Sequence, residues 1–408
     1  MSERKTILAL GWVSFWMDVS SEMIYPLLPV FLSSLGVGSL AIGFVAGLSE
    51  STASFFRVIS GFISDKLKKR KAVIIFGYGL STLARPLLAL SSSWGHVLGF
   101  RLIDRAGKGV RTPPRDALIA EASSSERYGR SYGIQRAMDT AGAVLGPAVA
   151  TGILALGIGY RSVFWISFIP AAIAVAIIQL FVREHGKSSP ELPGAPAAAT
   201  SHHTGAATDP RAAGGSLFSR DLKIFLVVTA VFSLGNSSNF FLVLRAKNLG
   251  FKDHVIPLLY MTMNVSSALL SYPAGRLADR FGKARIAFLG YLLYAALYAL
   301  FAVEASMKAL WILFPLQGIY LAFSEGIGTA YLATLLPGER RATGFAIYYT
   351  VIGLALLPAS TIGGWLWDHF SPSATFVVGS LLSLIAGALF GMLLLGRRKA
   401  AEPAEGAR

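Results

Sequence analysis

Gly61-Phe-Ile-Ser-Asp65-Lys66 closes one apolar stretch of the chain and runs into Leu67-Lys-Lys-Arg-Lys71. The same signature returns 214 positions later as Gly275-Arg-Leu-Ala-Asp279-Arg280, again just ahead of basic residues. Other stretches repeat at nearly the same interval. Phe15-Trp-Met-Asp-Val-Ser20-Ser21-Glu22 matches Phe232-Ser-Leu-Gly-Asn-Ser237-Ser238-Asn239, Glu126-Arg127 matches Glu339-Arg340, and Gly142 with Pro147 matches Gly353 with Pro358. Offsets that drift by a few residues are what small loop insertions produce. The chain is therefore a tandem repeat of two halves about an axis along the membrane normal, provided that its apolar stretches cross a membrane.

Composition says that they do. Of 408 residues, 54% are hydrophobic and only 14% charged, where soluble domains carry about 25% charged residues. Runs of roughly 20 mostly apolar residues are long enough to span a bilayer. Twelve are predicted, at about 6–32, 40–63, 72–92, 95–120, 132–156, 161–182, 222–245, 254–275, 285–303, 309–335, 342–366 and 373–396. The first continues through Trp16, Ile24, Leu27 and Phe31, too far for the apolar core of a cleaved signal peptide. There is no cysteine, which excludes disulfides, thiolate catalysis and Cys-ligated metal centres.

The net charge of +15 would suggest nucleic acid in a soluble protein. Here 24 of the 37 Lys and Arg fall in loops on the side of the termini and four, Arg161, Lys247, Lys252 and Lys308, in the opposite loops. That bias predicts cytoplasmic termini and a multi-pass protein of the cell (inner) membrane, with no need for a nucleic-acid partner. Residues 183–220, rich in Gly, Pro, Ala, Ser and Thr, read as a disordered cytoplasmic linker. It separates an N-terminal six-helix bundle (1–182) from a C-terminal one (221–396), with a tail at 397–408. His202 and His203 lie in the linker and are not read as a metal site.

The doubled Gly-x-x-x-Asp-(Arg/Lys) loop and the Gly142-x-x-x-Gly146-Pro147 stripe resemble the major facilitator superfamily, the latter its antiporters. The resemblance covers the chain outside linker and tails. It implies an all-α membrane protein with twelve transmembrane helices in two pseudo-symmetric six-helix bundles around a central cavity, lined by spans 1, 4, 7 and 10. It implies a small-molecule substrate moved by alternating access, in a protein for which a monomer suffices. Span 4 departs from the family's usual Arg-x-x-x-Gly pattern, reading Arg101-Leu-Ile-Asp104-Arg105-Ala-Gly107-Lys108-Gly109-Val-Arg111-Thr-Pro-Pro-Arg115-Asp116.

Asp65 and Asp279, with Gly61, Lys66, Gly275 and Arg280, read as gate residues that follow helix ends, cap the next turn and pair with a neighbouring span; ordinary solvated loops are the alternative. Gly142 and Gly146 give close helix approach and Pro147 a bend, which helix packing explains by itself. Intramembrane ionisable groups are costly and point to function. Asp18 and Glu22 share one face of span 1, Glu50 and Arg57 one face of span 2, and Arg136 and Asp139 stand three apart on span 5. Their repeat partners Gly235, Asn239, Asn264 and Ser271 are neutral.

A desolvated carboxylate can carry a proton near neutral pH. Glu22 is therefore the expected coupling site, with Asp18, Glu50 and Asp139 as further proton sites; a static Arg136–Asp139 pair is the alternative for those two. Arg105 and Lys108 are expected to line the cavity and attract an anionic group, with Arg57, Arg136, Asn236, Asn239, Gln317 and Tyr320 as further lining. Arg111 and Arg115 are expected to reach cytoplasmic water or pair with carboxylates on adjacent spans, and Pro113-Pro114 to disrupt span 4. No His-Glu-x-x-His, phosphate loop or nucleophile elbow occurs, so neither enzyme chemistry, a cofactor nor a metal is expected. The preferred reading is a proton-coupled antiporter exporting a small organic molecule, an anionic one included. The alternatives are a symporter or uniporter for an organic acid or metal chelate and, in another class, a non-transporting scaffold or sensor.

Overall fold

This computed structural model describes residues 3–67, 69–123, 128–182, 219–303, 306–336 and 341–405. The expected linker, except for Ser219 and Arg220, and the Glu126-Arg127 and Glu339-Arg340 repeats lie outside the described residues. The helices are α1 (Glu3–Ile24), α2 (Leu28–Ser34), α3 (Ser39–Leu67), α4 (Arg70–Ala89), α5 (Trp94–Glu121), α6 (Tyr128–Ala155), α7 (Tyr160–Phe181), α8 (Arg220–Gly235), α9 (Phe240–Asn248), α10 (Ile256–Phe281), α11 (Lys283–Val303), α12 (Met307–Leu335), α13 (Arg341–His369) and α14 (Pro372–Glu405). They make all twelve expected spans, because the first is α1 and α2 and the seventh is α8 and α9.

Those two spans are not continuous, as the sequence reading had them. Tyr25-Pro26-Leu27 tightens into a 3-10 turn between α1 and α2, with Pro26 and Pro29 removing two backbone donors. In the seventh span Asn236 ends α8 and Asn239 precedes α9. The same spans of the two halves are thus broken at comparable depth.

Ten spans are apolar enough to cross a bilayer on their own; α5 and α10 are the other two. Helix α5 hides its charge by close packing. A Cβ at Gly107 would stand 2.6 Å from the Gly77 carbonyl oxygen, and one at Gly109 2.6 Å from that of Ala53, so only glycine lets α5 lie against α4 and α3 at once. Pro113 and Pro114 do not disrupt it. The helix runs on to Glu121, and Ser60 of α3 donates to the Val110 carbonyl that Pro114 leaves without its helical partner.

Asp65 and Asp279 stand in the last turns of α3 and α10 rather than beyond the helix ends. In the second half the turn is made by Gly282, whose φ of +94° ends α10 and leads into α11; Asp279 therefore caps no following helix.

The halves meet mainly on the side away from the termini. Helices α3 and α13 touch from Ser39 and Asp368 down to Ser51, whose hydroxyl donates to the Gly353 carbonyl (2.6 Å). Further along, the Arg57 guanidinium lies 5.8 Å from the Tyr349 ring. One turn beyond Arg57, a Cβ on Gly61 would meet nothing within 4 Å, and the same holds for Gly275. The far side is sealed by Tyr160 donating to Asp253, by the Lys247–Asp253 ion pair and by Tyr25 against Phe240 and Tyr260. Among the described residues the named contacts between the halves lie on the far side and at mid-depth.

Candidate functional site

Helix α5 brings a cluster of charge to the middle of the first half. Asp104 is 6% exposed and has three arginines around it. Arg101 Nη1 donates to it at 3.0 Å, Arg85 Nη2 lies at 3.3 Å and Arg105 Nε at 3.9 Å. Arg85 is among the largest fully buried side chains of the described residues; it also donates to Ser21 Oγ (2.9 Å) and approaches the Met17 sulfur (3.8 Å). Arg111 donates to Ser81 Oγ (2.7 Å) and lies 4.5 Å from the Tyr78 ring. Arg115 pairs with Asp116 (2.9 Å), its neighbour on the same helix rather than a carboxylate of an adjacent span.

Toward the centre, Arg105 Nη1 faces Glu50 Oε1 of α3 at 3.4 Å, and its guanidinium lies 5.8 Å from the Tyr25 ring. Lys108 is a charge neighbour of Asp18, Glu22 and Glu50. Glu22 Oε2 is buried and has no hydrogen-bond partner, and Arg57 Nε is in the same condition. Asp18, one turn before Glu22, has Asp139 of α6 as a charge neighbour. Asp139 accepts from Gln135 Nε2 (2.6 Å), while Arg136 is exposed. The structure thus gathers Asp18, Glu22, Glu50, Arg105, Lys108 and Asp139 around one centre.

The glycine stripe holds that centre in place. A Cβ at Gly146 would stand 2.6 Å from the Val19 carbonyl oxygen and 2.9 Å from Glu22 Cβ; one at Gly142 would strike the Phe15 carbonyl and approach Asp18 Cβ at 3.1 Å. Both glycines, with buried Pro147, press α6 onto the turns of α1 that carry the two carboxylates. The next residue on this face, Ala143, accepts from Asn264 of α10 (2.9 Å), so the interface between halves runs past the same point.

The expected lining residues of the second half are neutral. Asn236 and Asn239 flank the break between α8 and α9 and are half-buried. Gln317 is 1% exposed and its Oε1 has no hydrogen-bond partner. Tyr320 packs among Phe232 and Tyr294 in the aromatic core of this half. Gly235, the repeat partner of Asp18, lies against Gly379 of α14, where a Cβ would come within 3.0 Å of that residue's carbonyl oxygen. Gly61 and Gly275 have open space where a side chain would go, Asp279 and Arg280 are exposed, and Asp65 and Lys66 lie in the last turn of helix α3.

Arg85 and the Gln135–Ser14–Arg115 hydrogen bonds (3.3 and 3.2 Å) were not singled out from sequence. Arg85 had a signal, a lone arginine before Pro86 in an otherwise apolar span. Gln135 had none beyond its place one turn before Asp139. Among the described residues no group of three or more His, Asp or Glu is placed to hold a metal ion.

Two six-helix bundles with broken first and seventh spans and a charged centre define a polytopic membrane transporter. The chain matches the Major Facilitator Superfamily over residues 10–244 and again over 224–408, and it belongs to that family. It is 39% identical over 392 residues, 94% of each chain, to an MFS-type transporter of Methanocaldococcus jannaschii. It is 26% identical over 343 residues to the multi-drug resistance efflux pump PmrA of Streptococcus pneumoniae, covering 82% of this chain and 79% of that one. Among solved structures, a bacterial homolog of the human lysosomal transporter Spinster, in an inward-facing and unoccupied conformation, superposes with a TM-score of 0.73 at 14% identity, over 96% of both chains.

Proposed function

We propose that the chain is a proton-coupled antiporter that exports a small organic molecule by alternating access, with Glu22 as the coupling carboxylate. The observation that supports this most directly is Glu22 Oε2, a buried acceptor with no hydrogen-bond partner. Such an atom is costly to leave unsatisfied, and either a proton or a donor group of the substrate relieves the cost. Two occupants that compete for one oxygen are coupled in the sense that exchange requires. Asp18, Glu50 and Asp139 would relay the proton, and Arg57, Arg105 and Lys108 would receive the substrate's acidic group.

The basic bias of the terminus-side loops supports a cell-membrane protein with cytoplasmic termini. In that orientation the terminus side loads from the cytoplasm, and similarity to an efflux pump supports export. Residues 1–182 and 221–396 would rock as bundles joined by the 183–220 linker, ahead of a tail at 397–408, in a monomer. Asp65 and Asp279 would act in closing the terminus side. A second reading, proton-linked uptake of an organic acid, is favoured by the three arginines gathered on the single carboxylate of Asp104.

A thermal-shift screen of purified protein against metabolites and drugs supplies the substrate, since a specific ligand stabilises the native state by mass action. In proteoliposomes with a proton gradient, that substrate should move uphill and carry a coupled proton flux. Glu22→Gln should still bind it and exchange it downhill but fail to concentrate it. Full uphill transport by Glu22→Gln would remove Glu22 as the coupling site.

A further inference from the structure

We infer that the substrate is a zwitterion, with its acidic and basic groups close together on an apolar frame, and that it binds by inserting between Arg105 and Glu50. This rests on reading the central cluster as the substrate site.

The two partners of that ion pair differ in burial. The Arg105 side chain is 6% exposed and that of Glu50 34%. Arg105 is buried with its Nε 3.9 Å from Asp104 and without a hydrogen-bond partner, and it has the Tyr25 ring beside it. Glu50 reaches it only at 3.4 Å, well beyond the ~2.8 Å of a strong charge-assisted hydrogen bond. The pair is therefore a buried cation, itself short of acceptors, facing a wetter carboxylate.

A ligand with one charge fits it poorly. An anion on Arg105 leaves Glu50 without its counter-ion, and a cation on Glu50 leaves Arg105 with Asp104 shared among three arginines. Either outcome strands a charge in a poorly solvated place, which is more costly than the pair itself. A zwitterion gives Arg105 an acceptor and Glu50 a donor and adds no net charge. The unsatisfied atoms on either side have the matching polarity: Glu22 Oε2 lacks a donor and Arg57 Nε lacks an acceptor.

Neutral side chains at four repeat positions of the second half set where the charges lie on the ligand. Gly235, Asn239, Asn264 and Ser271 stand where the first half has Asp18, Glu22, Glu50 and Arg57, so the zwitterion's two charged groups would both meet the first half, at one end of the molecule. The remainder would meet the aromatic wall that both halves build on the closed side, where the Tyr25 ring lies 5.1 Å from Phe240 and 5.5 Å from Tyr260.

The test is a matched series on one apolar frame: phenylalanine (zwitterion), phenylalanine amide (cation), N-acetylphenylalanine (anion) and N-acetylphenylalanine amide (neutral), titrated calorimetrically into the purified full chain. The zwitterion should bind about tenfold tighter than each of the others, the effect of one unpaired charged group. Glu50→Gln should weaken the zwitterion about tenfold and strengthen the anion, since the competing carboxylate is gone. Arg105→Lys, which keeps the charge and loses the fork, should weaken both. Unliganded melting curves of each variant verify its fold. Equal binding of the anion or cation, indifference to Glu50→Gln, or no binding by any of the four would overturn the inference. Uphill transport by Glu22→Gln with the zwitterion preference intact would instead remove the coupling reading alone.

Discussion

The carboxylate of Asp368, in the last turn of α13, accepts hydrogen bonds from the backbone N–H groups of Ser39 (2.9 Å) and Leu40 (2.8 Å), the first two residues of α3. An acid at the C-terminal end of its own helix is unfavourably placed with respect to that helix's dipole. Here it is offset by capping the positive end of a helix in the other half. The bond exists only while the far side is closed, so it contributes to the stability of that state alone.

Asp368→Ala is expected to shift the equilibrium toward the far-side-open state about two- to fivefold, the ~0.5–1 kcal/mol of an exposed charge at a helix end. The chain has no cysteine of its own, so spin labels at Leu40→Cys and Phe370→Cys report the far-side separation without background. An unchanged distance distribution in the Asp368 variant would show that the cap does not hold the gate.

Asp104 should behave as a structural keystone. Removing its charge leaves Arg85, Arg101 and Arg105 buried and mutually repelling, and breaking a buried ion network costs about 3–5 kcal/mol. Asp104→Asn is expected to cut the yield of folded protein and lower the melting temperature in detergent strongly. Glu121→Gln, which breaks a partly exposed pair with Arg70, should cost no more than about 1 kcal/mol. Equal melting of the two variants would mean that the arginines find other partners.

These residues also mark the limit of what sequence carries. The twelve spans and the repeat were legible because apolar length and a doubled motif are local properties. So were Asp18, Glu22, Glu50 and Asp139 as single candidates, since every intramembrane carboxylate needs a reason to be there. Which charges meet was not legible. Asp104 and Arg85 lie on different helices, and nothing in either span signals that an arginine before Pro86 turns toward α5. The continuity of α5 through Pro113-Pro114 was likewise hidden, because the hydroxyl that repairs it, Ser60, is remote in sequence. The position of Asp279 inside α10 depends on the positive φ of Gly282, which a reading centred on the loop signature passed over.

The glycine stripe on α6 should prove intolerant of even one methyl group. A Cβ at Gly146 would press on the Val19 carbonyl and Glu22 Cβ, pushing α6 away from α1 and turning Glu22. Overpacking of this kind costs about 1–3 kcal/mol. Gly146→Ala is expected to melt several degrees lower and to lose most transport, whereas Gly152→Ala, further along α6 with nothing within 4 Å of its added carbon, should retain both. Normal transport by Gly146→Ala would mean that the stripe is not what positions the carboxylates.

Gly61 and Gly275 call for the opposite treatment. Each stands on the terminus side with open space where a side chain would go, and each is inside a helix, where replacing glycine by leucine is favourable by somewhat under ~1 kcal/mol. Gly61→Leu and Gly275→Leu should therefore fold at least as well as the parent chain. If alternating access closes this face, those positions are where helices must approach, and a leucine there blocks the approach without touching the central cluster. The expected outcome is ligand affinity within about twofold of the parent, since the added side chains lie a turn or more from Arg57, with flux reduced at least about tenfold. Asp65→Ala and Asp279→Ala should show a milder form of the same split, with binding retained and cycling slowed, because they remove charge at the gate rather than add bulk. Calorimetric binding and proteoliposome flux on the same preparations separate the two quantities, with Gly152→Leu as a control at an unobstructed site on α6 near the far side. Full flux through Gly61→Leu and Gly275→Leu would show that the terminus side closes elsewhere, and loss of binding in Asp65→Ala or Asp279→Ala with normal flux would remove the gate role of the repeated loop.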